Sequence, residues 1–284
     1  MAVPHNQVLR PGNFSELFSF WGRFPDAVPF AGGTALIRFQ DRMLPELPGN
    51  ILSLEKIEDL RRITRTERYL EIGTMVRLGE IIALGKTVPD AFTGALRGIG
   101  GPQVRNLATI GGNLYISGDA AAPMAALDAR YELRSASGSR WISAFRFSML
   151  SPGEKQKNRE LLTRIRIPLE PWNYTVCRKF VPGGSGGEGG VLIILVQNQK
   201  DILTRIQVVF IPSPVSGGES GSGLFMDKDS ERFLEGKALP LDRRDAIHYG
   251  EQWNSYLRGL GRPDPLLRAK IVNVIETGLL ELSN

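Results

Sequence analysis

Gln103-Val104-Arg105-Asn106-Leu107-Ala108-Thr109-Ile110-Gly111-Gly112-Asn113-Leu114 is the stretch from which the rest of this chain can be read. Its paired glycines expose backbone N–H groups, and Thr109 and Asn113 add side-chain donors and acceptors suited to phosphate and sugar hydroxyls. An earlier glycine pair stands in Ala31-Gly32-Gly33-Thr34-Ala35-Leu36. There a short strand candidate, Val28 to Ala31, runs into the glycines, and Ala35, Leu36, Phe39 and Met43 then recur at helical spacing. A strand, a glycine turn and a helix start point free amides at a bulky anion, and a diphosphate fits. Thr34 adds a hydroxyl, and helix polarity favours the negative charge. The dinucleotide fingerprint G-x-G-x-x-G occurs nowhere in a strand-to-helix context, which disfavours a Rossmann-type nicotinamide domain.

Outward from these motifs the pattern predicts an α+β chain. Asn13, with Glu16 three residues on, opens a short amphipathic helix. Ile51 to Ile57 and Tyr69 to Val76 read as strands and Leu78 to Leu84 as a helix, so that a small α/β lobe gives way near residues 57–60 to a mainly antiparallel one. Tyr131 to Arg134, Arg140 to Ile142 and Leu161 to Leu169 continue the strands, the first two joined across Ser137-Gly138-Ser139. Glycine-rich loops at residues 183–190 and 217–223 bracket a hairpin, Val191 to Gln197 and Ile202 to Ile211, connected through Asn198 to Asp201. Beyond Lys228 the pattern is helical over Ser230 to Gly236, Arg243 to Leu260 and Pro265 to Leu282. The expected division is residues 1–170, with lobes of about 1–57 and 58–170, followed by a C-terminal domain, 171–284, with a small antiparallel sheet and helices.

Composition narrows the function classes. Of 284 residues 42% are hydrophobic, enough for a substantial core. The apolar runs, such as Val191 to Val196, are far shorter than the roughly 20 residues of a membrane span, and no membrane segment is expected. Met1 to Arg10 has an early Pro4 and no leader-like apolar core, so a cytoplasmic location is expected. A single cysteine, Cys177, excludes an internal disulfide framework and a four-thiolate iron–sulfur cluster. Cys177 itself reads as a small buried hydrophobe. The two histidines, His5 and His248, have no metal-ligand spacing. The net charge of +5 is scattered, not a nucleic-acid footprint.

Both motifs together resemble the FAD-binding subunits and domains of molybdenum hydroxylases, the xanthine dehydrogenase and carbon monoxide dehydrogenase group. Their pattern is A-G-G-T-x-L, later Q-x-R-N-x-A-T-I-G-G-N-L, then an Asp and a Leu-Asp-Ala stretch. Here Leu127-Asp128-Ala129 follows the two loops in order. The resemblance covers essentially the whole chain and implies non-covalent FAD. It places the diphosphate on Ala31, Gly32, Gly33, Thr34, Ala35 and Leu36, and the diphosphate and ribityl chain on Thr109, Gly111, Gly112 and Asn113, with Ile110 packed beneath the loop. Leu162 begins what looks like the family's strand after the flavin loops.

The family's stretch N-L-x-x-A-S-P-A-A-D is three residues shorter here, Asn113-Leu114-Tyr115-Ile116-Ser117-Gly118-Asp119. Anchoring on Asp128 makes Asp119 the carboxylate that touches FAD; the plainer reading of Asp119 is a cap on the Ala-rich helix that follows. Lys179 sits where the family often has a Lys near the flavin, and otherwise reads as a surface lysine. Tyr115 could cover a flavin face or simply pack. The resemblance further implies partners: a large molybdenum-binding subunit carrying molybdopterin, and a small subunit carrying [2Fe-2S] clusters, with NAD+ or another acceptor taking the electrons from FAD. Two alternatives stay open, a stand-alone FAD oxidoreductase of the same fold group and a degenerate scaffold subunit with weak flavin binding. Gly33→Asp is expected to abolish flavin retention, because it sets a Cβ and a carboxylate against the diphosphate; wild-type flavin content in the purified variant would remove the loop assignment.

Overall fold

The computed structural model describes residues 7–38, 40, 46–157, 159–182, 188–213 and 223–283. The first lobe holds β1 (Gln7–Leu9), α1 (Phe14–Arg23), β2 (Val28–Phe30), α2 (Thr34–Arg38) and β3 (Asn50–Ser53). Its three strands are parallel in the order β1-β3-β2. Asn13 caps α1 as expected, its side chain accepting from the Glu16 amide at 2.9 Å, and Leu17 and Trp21 face the core. Phe39 and Met43, expected to extend α2, lie outside the described residues.

The second lobe runs through β4 (Ile63–Arg65), β5 (Tyr69–Gly73), α3 (Leu78–Ala83), α4 (Asp90–Arg97), α5 (Pro102–Arg105), α6 (Ile110–Tyr115) and α7 (Ala121–Ala126). It then continues with β6 (Arg130–Ser135), β7 (Gly138–Ser143), α8 (Ala144–Ser148), α9 (Pro152–Lys157) and β8 (Leu161–Pro168). The strands form an antiparallel sheet in the order β4-β5-β8-β6-β7. Alternate residues of β8, Ile165 and Ile167 among them, enter the core, while Arg164 and Arg166 on the other face pair with Glu71, as the two-residue period of a half-covered sheet requires.

The last part contains β9 (Tyr174–Phe180), β10 (Gly190–Gln199), β11 (Ile202–Pro212), α10 (Lys228–Leu234), α11 (Arg243–Gly259) and α12 (Pro265–Leu280). The expected hairpin is there, with a tighter connection than expected: Gln199 and Ile202 still face one another. A third strand, β9, adds to it antiparallel. The apolar run at Val191 to Val196 does not alternate because both faces of β10 are covered. Val191, Ile193 and Leu195 join the core of the second lobe, while Leu192, Ile194 and Val196 join a separate cluster with Tyr249, Trp253, Ile271 and Ile275 from the terminal helices. One strand is therefore the wall between two cores.

Along the outer edge of β11, between backbone bridges to Phe225 and Ala238, one amide is met by a side chain. Glu231 on α10 is 5% exposed, and its Oε1 accepts from the Val208 amide of β11 at 3.1 Å. Burial pushes its carboxyl up to about 7; Asp128 and Asp227 push the same way, against the Val208 bond and Lys228. A carboxyl whose folded value lies above its unfolded one binds its proton more readily in the native state, so its burial costs stability increasingly as pH rises from about 4.5 to about 7. Glu231→Gln keeps an acceptor for Val208 without the charge. The variant should be more stable than wild type at pH 8, by on the order of 2–3 kcal/mol, with the gain shrinking toward pH 4.5; urea melts showing no pH-dependent difference would contradict this.

Candidate functional site

Between β2 and α2 the chain turns at Gly32 and Gly33. Gly33 has φ +69°, and a Cβ there would lie 2.8 Å from the Phe30 ring, so the position demands glycine on backbone grounds as well as for any ligand. At Gly32 a Cβ would stand 2.0 Å from the Leu107 carbonyl oxygen and 3.3 Å from the Ala108 Cα. Only a hydrogen fits there. The two glycine motifs, 75 residues apart between Gly32 and Leu107, are thus in direct backbone contact.

Residues Ala31 to Leu36 are all half-buried. Their amides differ from those of the second motif. No acceptor within the chain meets the amides of Gly32, Gly33, Thr34, Ala35 or Leu36 among the described residues; the first bond back into the turn comes from Ile37, whose amide reaches the Gly33 carbonyl at 3.3 Å. The second motif does not expose its amides as its glycines suggest. The Ile110 amide donates to the Val76 carbonyl at 3.0 Å, that of Gly111 to Thr74 at 2.9 Å and that of Asn113 to Thr109 at 3.1 Å. Thr109 caps α6, its Oγ1 accepting from the Gly112 amide at 3.2 Å. Gly111 is small because Thr74 is under it: a Cβ would lie 2.6 Å from the Thr74 Cβ. Sequence patterning cannot distinguish a glycine that opens a backbone to ligand from one that lets two segments touch.

Thr74, which the motifs do not reveal, ties the second loop to the expected strand residue. Its hydroxyl donates to the Leu162 carbonyl at 2.9 Å, and the Leu162 side chain is buried in the core of the second lobe. Ile110 is buried beneath the loop as expected. Arg105 of the motif serves the scaffold: its Nη1 donates to the carbonyls of Arg97, Ile99 and Gly100 at 3.2, 3.2 and 2.6 Å.

The shortened stretch after Asn113 folds back on that residue. The Gly118 amide donates to the Asn113 carbonyl at 2.8 Å, and the Ala120 amide to Asn113 Oδ1 at 3.1 Å. With that oxygen engaged, the Nδ2 donor is what Asn113 has left to offer a ligand. Asp119 does not cap the helix that follows, whose cap position is Ala120 with no side-chain bond. Instead its Oδ2 accepts from Lys179 Nζ at 2.7 Å, and the same Nζ donates to the Gly98 carbonyl at 2.5 Å. Lys179 is thus held at the second loop, one-third exposed, with Asp119 one-tenth exposed. No bond reaches Asp119 Oδ1 among the described residues.

Cys177, on the same strand as Lys179, packs against Gly94, and burial, then the charge of Asp119, pushes its thiol up to about 11; it is an inert packing thiol. The Tyr115 ring packs against the core. No group of three or more His, Cys, Asp or Glu that could hold a metal occurs among the described residues, and no helix there is long and apolar enough to cross a membrane. Two open surface concavities, one beside Asp227 and His248 and one beside Trp172, share no residue with the glycine loops.

Residues 4–170 match the family described as the FAD binding domain in molybdopterin dehydrogenase, and the chain belongs to it. The chain is 31% identical over 188 residues to the glyceraldehyde dehydrogenase medium chain of Sulfolobus acidocaldarius, a match that covers 64% of this chain and 66% of that one. It is 28% identical over 255 residues to the nicotine 6-hydroxylase medium subunit of Paenarthrobacter nicotinovorans, covering 87% and 86%. The first of these matches thus spans just under two thirds of its relative's length. A solved structure of quinoline 2-oxidoreductase from Pseudomonas putida 86 contains a chain of the same fold, with a TM-score of 0.78 at 20% identity over all of this chain and 98% of that one.

The Gly32 contact is open to a direct trial. Gly32→Ala must drive the two loops apart by more than an ångström, since a methyl group cannot approach a carbonyl oxygen at 2.0 Å. The variant should lose about 1–3 kcal/mol in chemical denaturation and most of its affinity for any ligand held by both loops. Wild-type stability would mean that the loops do not touch.

Proposed function

We propose that this chain is the FAD-carrying subunit of a molybdenum hydroxylase, working in the cytoplasm with a large molybdopterin-binding subunit and a small subunit that holds [2Fe-2S] clusters. The observation that carries the proposal is the run of five consecutive amides of half-buried residues, Gly32 to Leu36, with no acceptor among the described residues. Such a donor set suits a diphosphate, whose charge also favours the start of a helix. FAD, once held, would supply the redox chemistry linking one-electron iron–sulfur donors to NAD+ or another acceptor.

The protein's part is to hold and tune. Ala31 to Leu36 would take the diphosphate on main-chain donors, with the Thr34 hydroxyl at the helix start. Thr109, Gly111, Gly112 and Asn113 would form the facing wall, contributing less through amides than through the Asn113 Nδ2 donor and the close backbone approach allowed by Gly112. Asp119 has one carboxylate oxygen on Lys179 and the other left for a sugar or ribityl hydroxyl. Lys179 supplies the only ammonium bonded to that carboxylate among the described residues. Leu162 supports the loop from behind through Thr74. The single half-buried thiol of Cys177 suits a reducing compartment and clusters carried elsewhere.

Against the scaffold alternative, the shortened turn still brings Asp119 to Lys179. The purified chain should therefore take up FAD stoichiometrically and show its visible absorption. A protein that stays colourless after incubation with FAD would end both redox readings. Tagged chain drawn from its native host should bring a large molybdenum subunit and a Cys-rich small one with it; a flavinated chain recovered alone would favour the stand-alone oxidoreductase instead.

A further inference from the structure

Behind the 113–119 turn lies a buried cation. Lys155, on α9, is 6% exposed. Its Nζ donates to the Tyr115 carbonyl at 2.9 Å and to Ser117 Oγ at 3.0 Å, and stands 4.8 Å from the centroid of the Phe147 ring and 5.8 Å from that of Tyr115. No carboxylate pairs with it among the described residues. Buried lysines without a counter-charge are costly, and this one stands directly behind the turn. Tyr115 is the last residue of α6, where carbonyls lack helical partners. Ser117 has φ +51°, a left-handed conformation that a non-glycine residue holds only when its surroundings impose it. Gly118 follows with no room for a side chain against Asn113, and then Asp119.

We infer that Lys155 is a positioning residue for the flavin: by gripping Tyr115 and Ser117 from behind, it fixes the turn that presents Asn113 and Asp119. The inference rests on the FAD reading above and names a residue that neither glycine motif contains. An ammonium makes stronger hydrogen bonds than a neutral amine and alone makes the cation–π contact. The grip therefore weakens when the proton leaves.

Among the described residues, the groups in contact with the Lys155 ammonium bring it no opposite charge. From the turn come Tyr115 and Ser117; from α8 comes Phe147, with the Tyr131 phenol of β6 edge-on behind it, centroids 5.4 Å apart. Burial pushes that phenol well above its ordinary value. On α9 itself, Glu154 accepts from the Ser151 amide and hydroxyl. Burial brings the Lys155 ammonium down to about 8. Because this lies below its unfolded value of 10.5, the native chain gives up the proton first, and stability rises with pH from about 8 to about 10.5. Flavin affinity should move in the opposite direction over the start of that window, which separates positioning from general alkaline loosening.

The test is FAD titration of the full-length apo chain and of Lys155→Met between pH 7 and 9, with thermal melts of each. In wild type, affinity should fall as pH passes about 8 while the melting temperature holds or rises. Lys155→Met fills the same space without the charge, so it should be at least as stable as wild type. It should bind FAD roughly tenfold more weakly at pH 7 and have lost the pH dependence. A variant that binds within twofold of wild type with the same pH profile overturns the inference and leaves the FAD reading intact; so does a variant whose weaker binding follows a lower melting temperature. A wild-type chain that binds no FAD at any pH overturns the FAD reading itself.

Discussion

The backbone contact between Gly32 and Leu107 is the constraint that sets how the two glycine loops lie against each other. Two loops from different lobes meet there with only hydrogen between a Cα and a carbonyl oxygen. That closeness joins a parallel sheet to the helical cap of an antiparallel one. A side chain at Gly32 would force the two loops apart.

The two loops do different work despite their similar composition. The first keeps its amides free of acceptors among the described residues, whereas Ile110 to Asn113 of the second give theirs to Val76, Thr74 and Thr109. The first is a donor surface and the second a rigid wall with a few side-chain groups upon it. On the proposed FAD reading, a cofactor held between such a donor surface and such a wall would keep a fixed orientation. Bonds extend outward from the wall, through Thr74 to β8, through Arg105 to the end of α4, and through Asn113 to Ala120; Lys155 holds the same turn at Tyr115 and Ser117, and Asp119 at its end meets Lys179.

The C-terminal part is tied to this site by packing as well as by charge. β10 gives alternate side chains to the core beneath α6 and α7 and to the core of α11 and α12. β9, beside it, brings Lys179 to Asp119. A lysine far along the chain reaches the loops because a doubly covered sheet holds its strand there. The glyceraldehyde dehydrogenase and nicotine hydroxylase relatives are medium chains or subunits, and the same fold recurs in a quinoline oxidoreductase.

The strands and helices that alternate or repeat at fixed spacing were legible from residues alone: α1 with its Asn13 cap, β5, β8, the β10–β11 hairpin and the two long terminal helices. So were the glycine motifs, because unusual local composition needs no partner to be recognised. β4, β9, α4 and the short helices around the second motif were not, since brief elements owe their form to what packs on them. From the sequence also came the expectation of an anion-sized ligand at the first turn. Tertiary structure alone decided which amides remain free, that Asp119 pairs with Lys179 instead of capping a helix, and that Thr74 and Lys155 stand behind the loops. Those outcomes depend on distances between residues far apart in the chain, and a buried lysine has the same letter as an exposed one.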